Sequence, residues 1–397
     1  MRRLAPLATA LLLCACGAEL ASPFSAVAVT FVVEKQTFKL AQVRVNTLTS
    51  LRHLQGCLQL DARGSCPPNL DYEVRVGGRV RVSTSAARTK DATVQALRAS
   101  FVTAQPSRVN LSWNVLNDIV YAEDFDSLEL LSTYYNMEKA RKALADWGLP
   151  SLPAKPIVVH AALADENGLP PLDDGELYYA PLATFFAPAA TPQQKVPAAL
   201  NLGAVAHAVG HQAVQELIWA GAPVPSPELG SDKIARHLAR SFAEGIADYL
   251  GVAVSLDEHW FDNSRTREPA SRALDQIRCS SQDMLDALAA DDAQAPYDPY
   301  PLGSVFAGAL WELGSPHLQT ISKGVLDALG DLGTRAAVAQ SRLTLPVILD
   351  TLAARAPADQ RSDLCGIFLN RFAKLGLKQA DLPSCAQATA RQECILQ

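Results

Sequence analysis

The sequence predicts an α+β fold, with a β-rich N-terminal module and a mainly helical C-terminal half. Residues 26–104 are dominated by short β-branched runs separated by turn signals. Around Leu128 the apolar period lengthens to that of a helix, and from Val196 onward the pattern is helical nearly throughout. The composition is that of a chain with a sizeable core. Hydrophobic residues make up 49% and charged residues 19%, against a usual charged share of about 25%, which excludes a disordered or highly charged chain. At about 150 residues per domain, 397 residues correspond to two or three domains. The net charge of −6 offers no basic excess to phosphates, so nucleic acid is not an expected partner.

The N-terminus sets the compartment. Arg2 and Arg3 precede an apolar run, Leu4 to Leu13, which reads as a secretory signal too short to remain as a membrane span. The sequence Leu13-Cys14-Ala15-Cys16-Gly17 resembles the bacterial lipobox. That resemblance implies cleavage after residue 15 and a lipid on Cys16, anchoring an exported chain at the outer membrane or cell surface. The alternative is ordinary signal-peptidase cleavage near Ala18, with Cys16 discarded. Of the eight cysteines, Cys57, Cys66, Cys279, Cys365, Cys385 and Cys394 then remain, an even set that reads as disulfides in an exported protein. Six cysteines allow 15 connectivities. Short-range pairing suggests Cys57–Cys66 and Cys385–Cys394, leaving Cys279–Cys365 by elimination. No C-x-x-C pair points to a zinc ribbon or a thioredoxin-type site.

The elements follow in order. Strands are expected at Ala26 to Val33, at Leu40 to Val45, and over Tyr72 to Val82 around a Gly77-Gly78 turn; a short helix fits Asp91 to Phe101. Leu128 to Trp147 has helical spacing and stops at Gly148. A proline-rich connector leads to a strand, Ile157 to His160, and Leu177-Tyr178-Tyr179 and Thr184-Phe185-Phe186 read as two short strands about a turn. The helical region is expected to break at 221–230 and 291–303. The resulting organisation is a signal at 1–15, a β-rich module at 16–115, a principal domain at 116–320 and a helical C-terminal region at 321–397.

Chemistry concentrates on two of the helices. His207 and His211 lie at i and i+4 of the helix Val196 to Ala220, one turn apart on one face, where both imidazoles can reach one metal ion. The surrounding residues are apolar nearly all round, and buried imidazoles need partners. The plainer alternative is a pair of core histidines bonded to backbone. A later helix carries Glu244 and Asp248, also at i and i+4, among Ile234, Leu238, Phe242, Ile246 and Leu250. A carboxylate on such a helix is costly unless paired or bound to metal; the alternative is two solvated acids on an exposed edge. Two His and one Glu form an open zinc shell with a fourth position for water, and Asp248 is placed to hold the far nitrogen of a ligand histidine. His237 shares the Glu244 face, as a supporting or alternative ligand or a core residue. His259 reads as a loop histidine, and the acids of 257–268 as a solvated loop.

His207-Ala208-Val209-Gly210-His211 followed by Ala243-Glu244-Gly245-Ile246-Ala247-Asp248-Tyr249-Leu250 resembles the gluzincin metallopeptidases, whose signature is H-E-x-x-H with a downstream E-x-x-x-D helix. The segment GELYYAPLATFF looks like their substrate-side edge strand. Tyr300 to Trp311 is similar to the H-x-x-G…LW helix of thermolysin- and fungalysin-like members. The likeness spans roughly residues 120 to 320 and implies a zincin-like domain with zinc on His207, His211 and Glu244, supported by Asp248. Two departures stand out. Ala208 occupies the position of the general-base Glu, and loss of a general base typically costs about 10²–10⁴-fold. Tyr300 stands where a histidine is expected to steady the oxyanion, a role a phenol can fill.

The expectation is therefore an exported, membrane-anchored zincin-like protein that binds zinc and has lost efficient peptide hydrolysis. Two rivals stay open: an active metallopeptidase with a non-standard base, and a metal-free pseudoenzyme whose cleft binds a peptide or protein.

Overall fold

The computed structural model describes residues 26–34, 37–45, 73–77, 113–117, 119–123, 125–149, 152, 156–160, 200–219, 232–263, 272–290, 297–339, 343–391 and 393–394. The signal segment, Cys16, Cys57, Cys66, the helix expected at 91–101, the strands expected at 177–186 and the break at 221–230 lie outside them.

Among the described residues six strands precede the helical half. β1 (Ala26–Glu34) and β2 (Thr37–Val45) form an antiparallel pair with Ala26 opposite Val45 and Glu34 opposite Thr37. After β3 (Glu73–Gly77) come β4 (Trp113–Leu116) and β5 (Ile119–Ala122), a second antiparallel pair. Asn117, between these two, has φ 51°, a left-handed conformation that asparagine tolerates in tight turns. β5 then runs parallel to β1, giving a four-stranded sheet in the order β2-β1-β5-β4.

A self-contained β-rich module ending at 115 is not what the described residues show. β4 spans that boundary, and β1 takes its parallel neighbour from beyond it. The expected Tyr72 to Val82 strand is described only as β3, whose partner is β6 (Pro156–His160), in parallel. The reason is physical: alternation identifies a strand but carries no information about a partner some 80 residues away. Helix α1 (Phe125–Asp146) packs on both β1 and β5 and also on the first helix of the helical half, so it joins the two parts.

The helical half is built around one buried helix. α2 (Leu202–Trp219) begins after Asn201, whose Oδ1 accepts from Gly203 N at 3.0 Å and ties off the first turn. α3 (Lys233–Ser255) is capped by Asp232, whose side chain accepts from Ala235 N, and ends on Leu256 at φ 56°. From His237 to Val254 nearly every residue of α3 is buried, because α2 packs on one side of it and α5 (Tyr300–Gly314) on the other. Glycines permit this approach. A Cβ on Gly245 would lie 2.6 Å from Gly303 O and 2.7 Å from Phe306 Cβ, and one on Gly210 would lie 2.9 Å from Ala247 Cα. α4 (Gln282–Ala289) packs beside α3; α6 (Leu318–Ala339), α7 (Leu345–Arg355) and α8 (Arg361–Arg371) complete the layer. Among the described residues no helix is long and apolar enough to cross a membrane.

The disulfides differ from the short-range pairing. Cys279 bonds Cys394, and Cys365 bonds Cys385, with Cα atoms 5.6 and 5.4 Å apart. Neither Cys385–Cys394 nor Cys279–Cys365 forms. The C-terminal tail folds back over α8, where Cys394 N donates to Asn370 Oδ1 and Ser280 N donates to Arg371 O, so Cys394 meets the segment before α4. Sequence proximity is a poor guide once a tail doubles back.

Candidate metal centre

α2 and α3 bring their polar pairs to a common point at the margin of the apolar core, with Glu244 and Asp248 buried and the His207 and His211 side chains half-buried. His207 Nε2 and His211 Nε2 are 3.0 Å apart, and Glu244 Oε2 is 3.6 Å from the first and 3.5 Å from the second. One ligand atom from each of these residues lies within 4.8 Å of the other two, so the group could hold a metal ion. Glu244 is buried, and its Oε2 has no hydrogen-bond partner. A buried carboxylate oxygen left in this state is costly unless a cation completes it. The donor set suits one, since two imidazoles and a carboxylate are open-shell ligands of a tetrahedral ion.

Asp248, one turn beyond Glu244 and also buried, holds the other side of His207: its Oδ1 is 2.9 Å from Nδ1. A proton on Nδ1 at that distance is favoured by the Asp248 carboxylate and would leave the Nε2 lone pair facing Glu244 and His211. The indole of Trp260 lies against the His207 ring at 5.5 Å between centroids.

Arg272 completes the arrangement, and no periodicity in the sequence marks it. Its Nε donates to Asp248 Oδ2 at 3.0 Å and its Nη2 to Asp248 Oδ1 at 2.5 Å, a two-pronged ion pair, while Nη2 is 3.7 Å from Glu244 Oε2. The guanidinium is sandwiched between the Phe261 and Tyr300 rings, 4.3 Å from each centroid. The one clue in the sequence is indirect: two acids buried on an apolar helix need a cation. Several downstream arginines fit that need equally well.

Charges in the site follow these contacts. Burial raises the cost of ionising Asp248, but Arg272 and then His207 outweigh it and hold the carboxyl at about 2. Burial acts on Glu244 in the same way and is overcome chiefly by His211, with His207 and Arg272 adding, again to about 2. Burial disfavours protonation of both histidines. It prevails at His207, whose pKa falls below the ordinary value; at His211 the Glu244 carboxylate prevails and the pKa rises.

The remaining expected residues fall as follows. Ala208 is buried beside His207 on α2. Tyr300 opens α5, with its N–H donating to Asp298 Oδ1 and its ring on Arg272, at the edge of the site. His237 lies outside the metal group. It is buried, with Nδ1 2.9 Å from Leu288 O and its ring stacked on Tyr297 at 4.1 Å. His259 pairs with Asp275 at 3.1 Å. The acids at 257 and 258 are engaged rather than free in solvent: Asp257 is buried and accepts from His259 N, and Glu258, half-buried, accepts from Trp311 Nε1 at 2.8 Å. They brace the loop that carries Trp260 against α5. No protein family, curated protein or solved structure matches the chain.

Proposed function

We propose that the chain is an exported, lipid-anchored zincin-like protein whose centre binds zinc through His207, His211 and Glu244 and does not hydrolyse peptides efficiently. One observation supports this reading most directly: the buried Glu244 Oε2, without a hydrogen bond, within 3.6 Å of two imidazole nitrogens. Zinc is favoured because two nitrogens and one oxygen leave an open fourth position. Zinc bound there supplies Lewis acidity to a water or carbonyl. The chain's own residues do the rest of the positioning. Asp248 fixes the His207 tautomer, Arg272 fixes Asp248, and Tyr300, packed on Arg272, borders the site. Proton transfer is the missing part. Ala208 carries a methyl group where the resembled enzymes carry their base, and a methyl group cannot accept a proton from water. Export is supported by the signal-like N-terminus and by the two disulfides.

A second reading has one observation in its favour. Arg272 already offers a cation 3.7 Å from Glu244, which would let a metal-free cleft persist as a peptide-binding module. Elemental analysis separates the two: stoichiometric zinc, lost in His207→Ala, is the expected result, and a zinc-free wild type would exclude the metal centre. Casein cleavage tests the chemistry. We expect negligible cleavage by the wild type and measurable cleavage by Ala208→Glu. Robust wild-type cleavage abolished by Glu244→Ala would sink the loss of hydrolysis.

A further inference from the structure

The charged groups at the centre do not sum to zero once a divalent metal is present. Glu244 and Asp248 contribute two negative charges, and Arg272, forked onto Asp248, contributes one positive charge. The histidines are neutral when they act as ligands. With a divalent ion the sum is one net positive charge among largely buried groups: the Glu244, Asp248 and Arg272 side chains are buried, the indole of Trp260 lies against His207, and the half-buried His211 leaves the position open on one side. An uncompensated charge in such surroundings is expensive. In the metallopeptidases that the HAVGH motif resembles, the carboxylate at the position of Ala208 would balance it. Alanine leaves the balancing charge to be supplied from outside the chain.

We infer that the open metal position is a monoanion site that takes a carboxylate ligand. This inference rests on the metal-binding reading. The carboxylate belongs either to a small organic acid or to the C-terminus of a peptide. Both sources present the same group, two oxygens sharing one charge, to the ion between His207, His211 and Glu244. A dianion such as phosphate overcompensates the sum and is disfavoured; neutral acetamide, close to acetate in shape, gains nothing from it. Arg272 sets the value of the sum. Its charge cancels that of Asp248, so the ligand meets the metal and Glu244 alone.

The test uses the full-length protein loaded with cobalt(II), whose visible bands report its coordination sphere, and acetate as the probe. Saturable band changes with acetate and none with acetamide are expected. Ala208→Glu, which supplies its own carboxylate, is expected to weaken the acetate response about tenfold or more. Ala208→Gln, of the same size without the charge, retains the response and controls for packing at this buried position. An acetylated peptide with a free C-terminus competing with acetate, while its C-terminal amide does not, identifies the peptide source; failure of both to compete beside a clear acetate response identifies a small acid. Cobalt bands indifferent to acetate, or equally responsive to acetamide, overturn the inference and leave the metal centre standing. Absence of cobalt bands overturns the metal-binding reading itself.

Discussion

Two of the arginine–carboxylate clusters among the described residues of the helical half are built differently. In the C-terminal layer Glu312 serves two cations: Oε2 accepts from Arg371, itself buried, and Oε1 accepts from Arg391. Both oxygens of the acid are occupied, and no histidine takes part. At the metal centre two acids share one cation, two imidazoles crowd in, and one oxygen of Glu244 is left without a hydrogen bond. The first cluster leaves no acid oxygen open; Arg371 Nη1 is buried there without a hydrogen bond, but it is a donor and offers nothing to a cation. The second leaves an acceptor oxygen without a hydrogen bond beside two imidazole nitrogens, which is what distinguishes a cation site from a brace.

That contrast can be tested by removing one acid from each cluster. Asp248→Asn should have the larger effect on chemistry. Loss of the group orienting a ligand histidine typically lowers metal affinity about 10–100-fold, measurable by chelator competition. Unchanged affinity would reduce Asp248 to a purely structural role. Glu312→Gln should leave metal affinity alone and lower stability by about 1–3 kcal/mol, since Arg371 is left buried with a neutral partner. Urea unfolding reads this, and a shift in metal affinity instead would erase the distinction between the clusters. The smallest effect is one of pH. Asp248 has a folded-state pKa of about 2, below its ordinary value, so its ion pair contributes stability above about pH 4. That contribution is lost as pH falls through the folded value. The stability gap between the metal-free wild type and Asp248→Asn should therefore narrow from pH 5 towards about pH 2; a constant gap would mean that the carboxylate charge is not what stabilises the pair.

How much of the molecule is legible in its sequence depends on distance along the chain. His207 with His211, and Glu244 with Asp248, are spaced by one helical turn on apolar helices, so period and cost of burial together mark them in the sequence itself. Their mutual approach needs only that α2 and α3 pack, which Gly210 against Ala247 allows. Arg272 belongs to no periodic segment, and its importance comes from a two-pronged contact made across 24 residues. The same limit explains the sheet, where β1 finds β5 rather than closing a local module. It also explains the cysteines, whose partners are decided by a tail folding back over α8. Local pattern reveals which residues need partners. Tertiary packing decides which partners they get.

The Cys279–Cys394 bond joins positions 115 residues apart and encloses α4 through α8 within one covalent ring. A protease that cuts anywhere inside that span opens the ring without releasing a fragment. The nicked protein keeps its full mass until it is reduced, and the tail stays clasped to the segment just before α4. Limited digestion read on paired reducing and non-reducing gels should therefore disagree, with intact mass on one and fragments on the other. On the proposed exported reading, that ring means survival of a cut rather than avoidance of it.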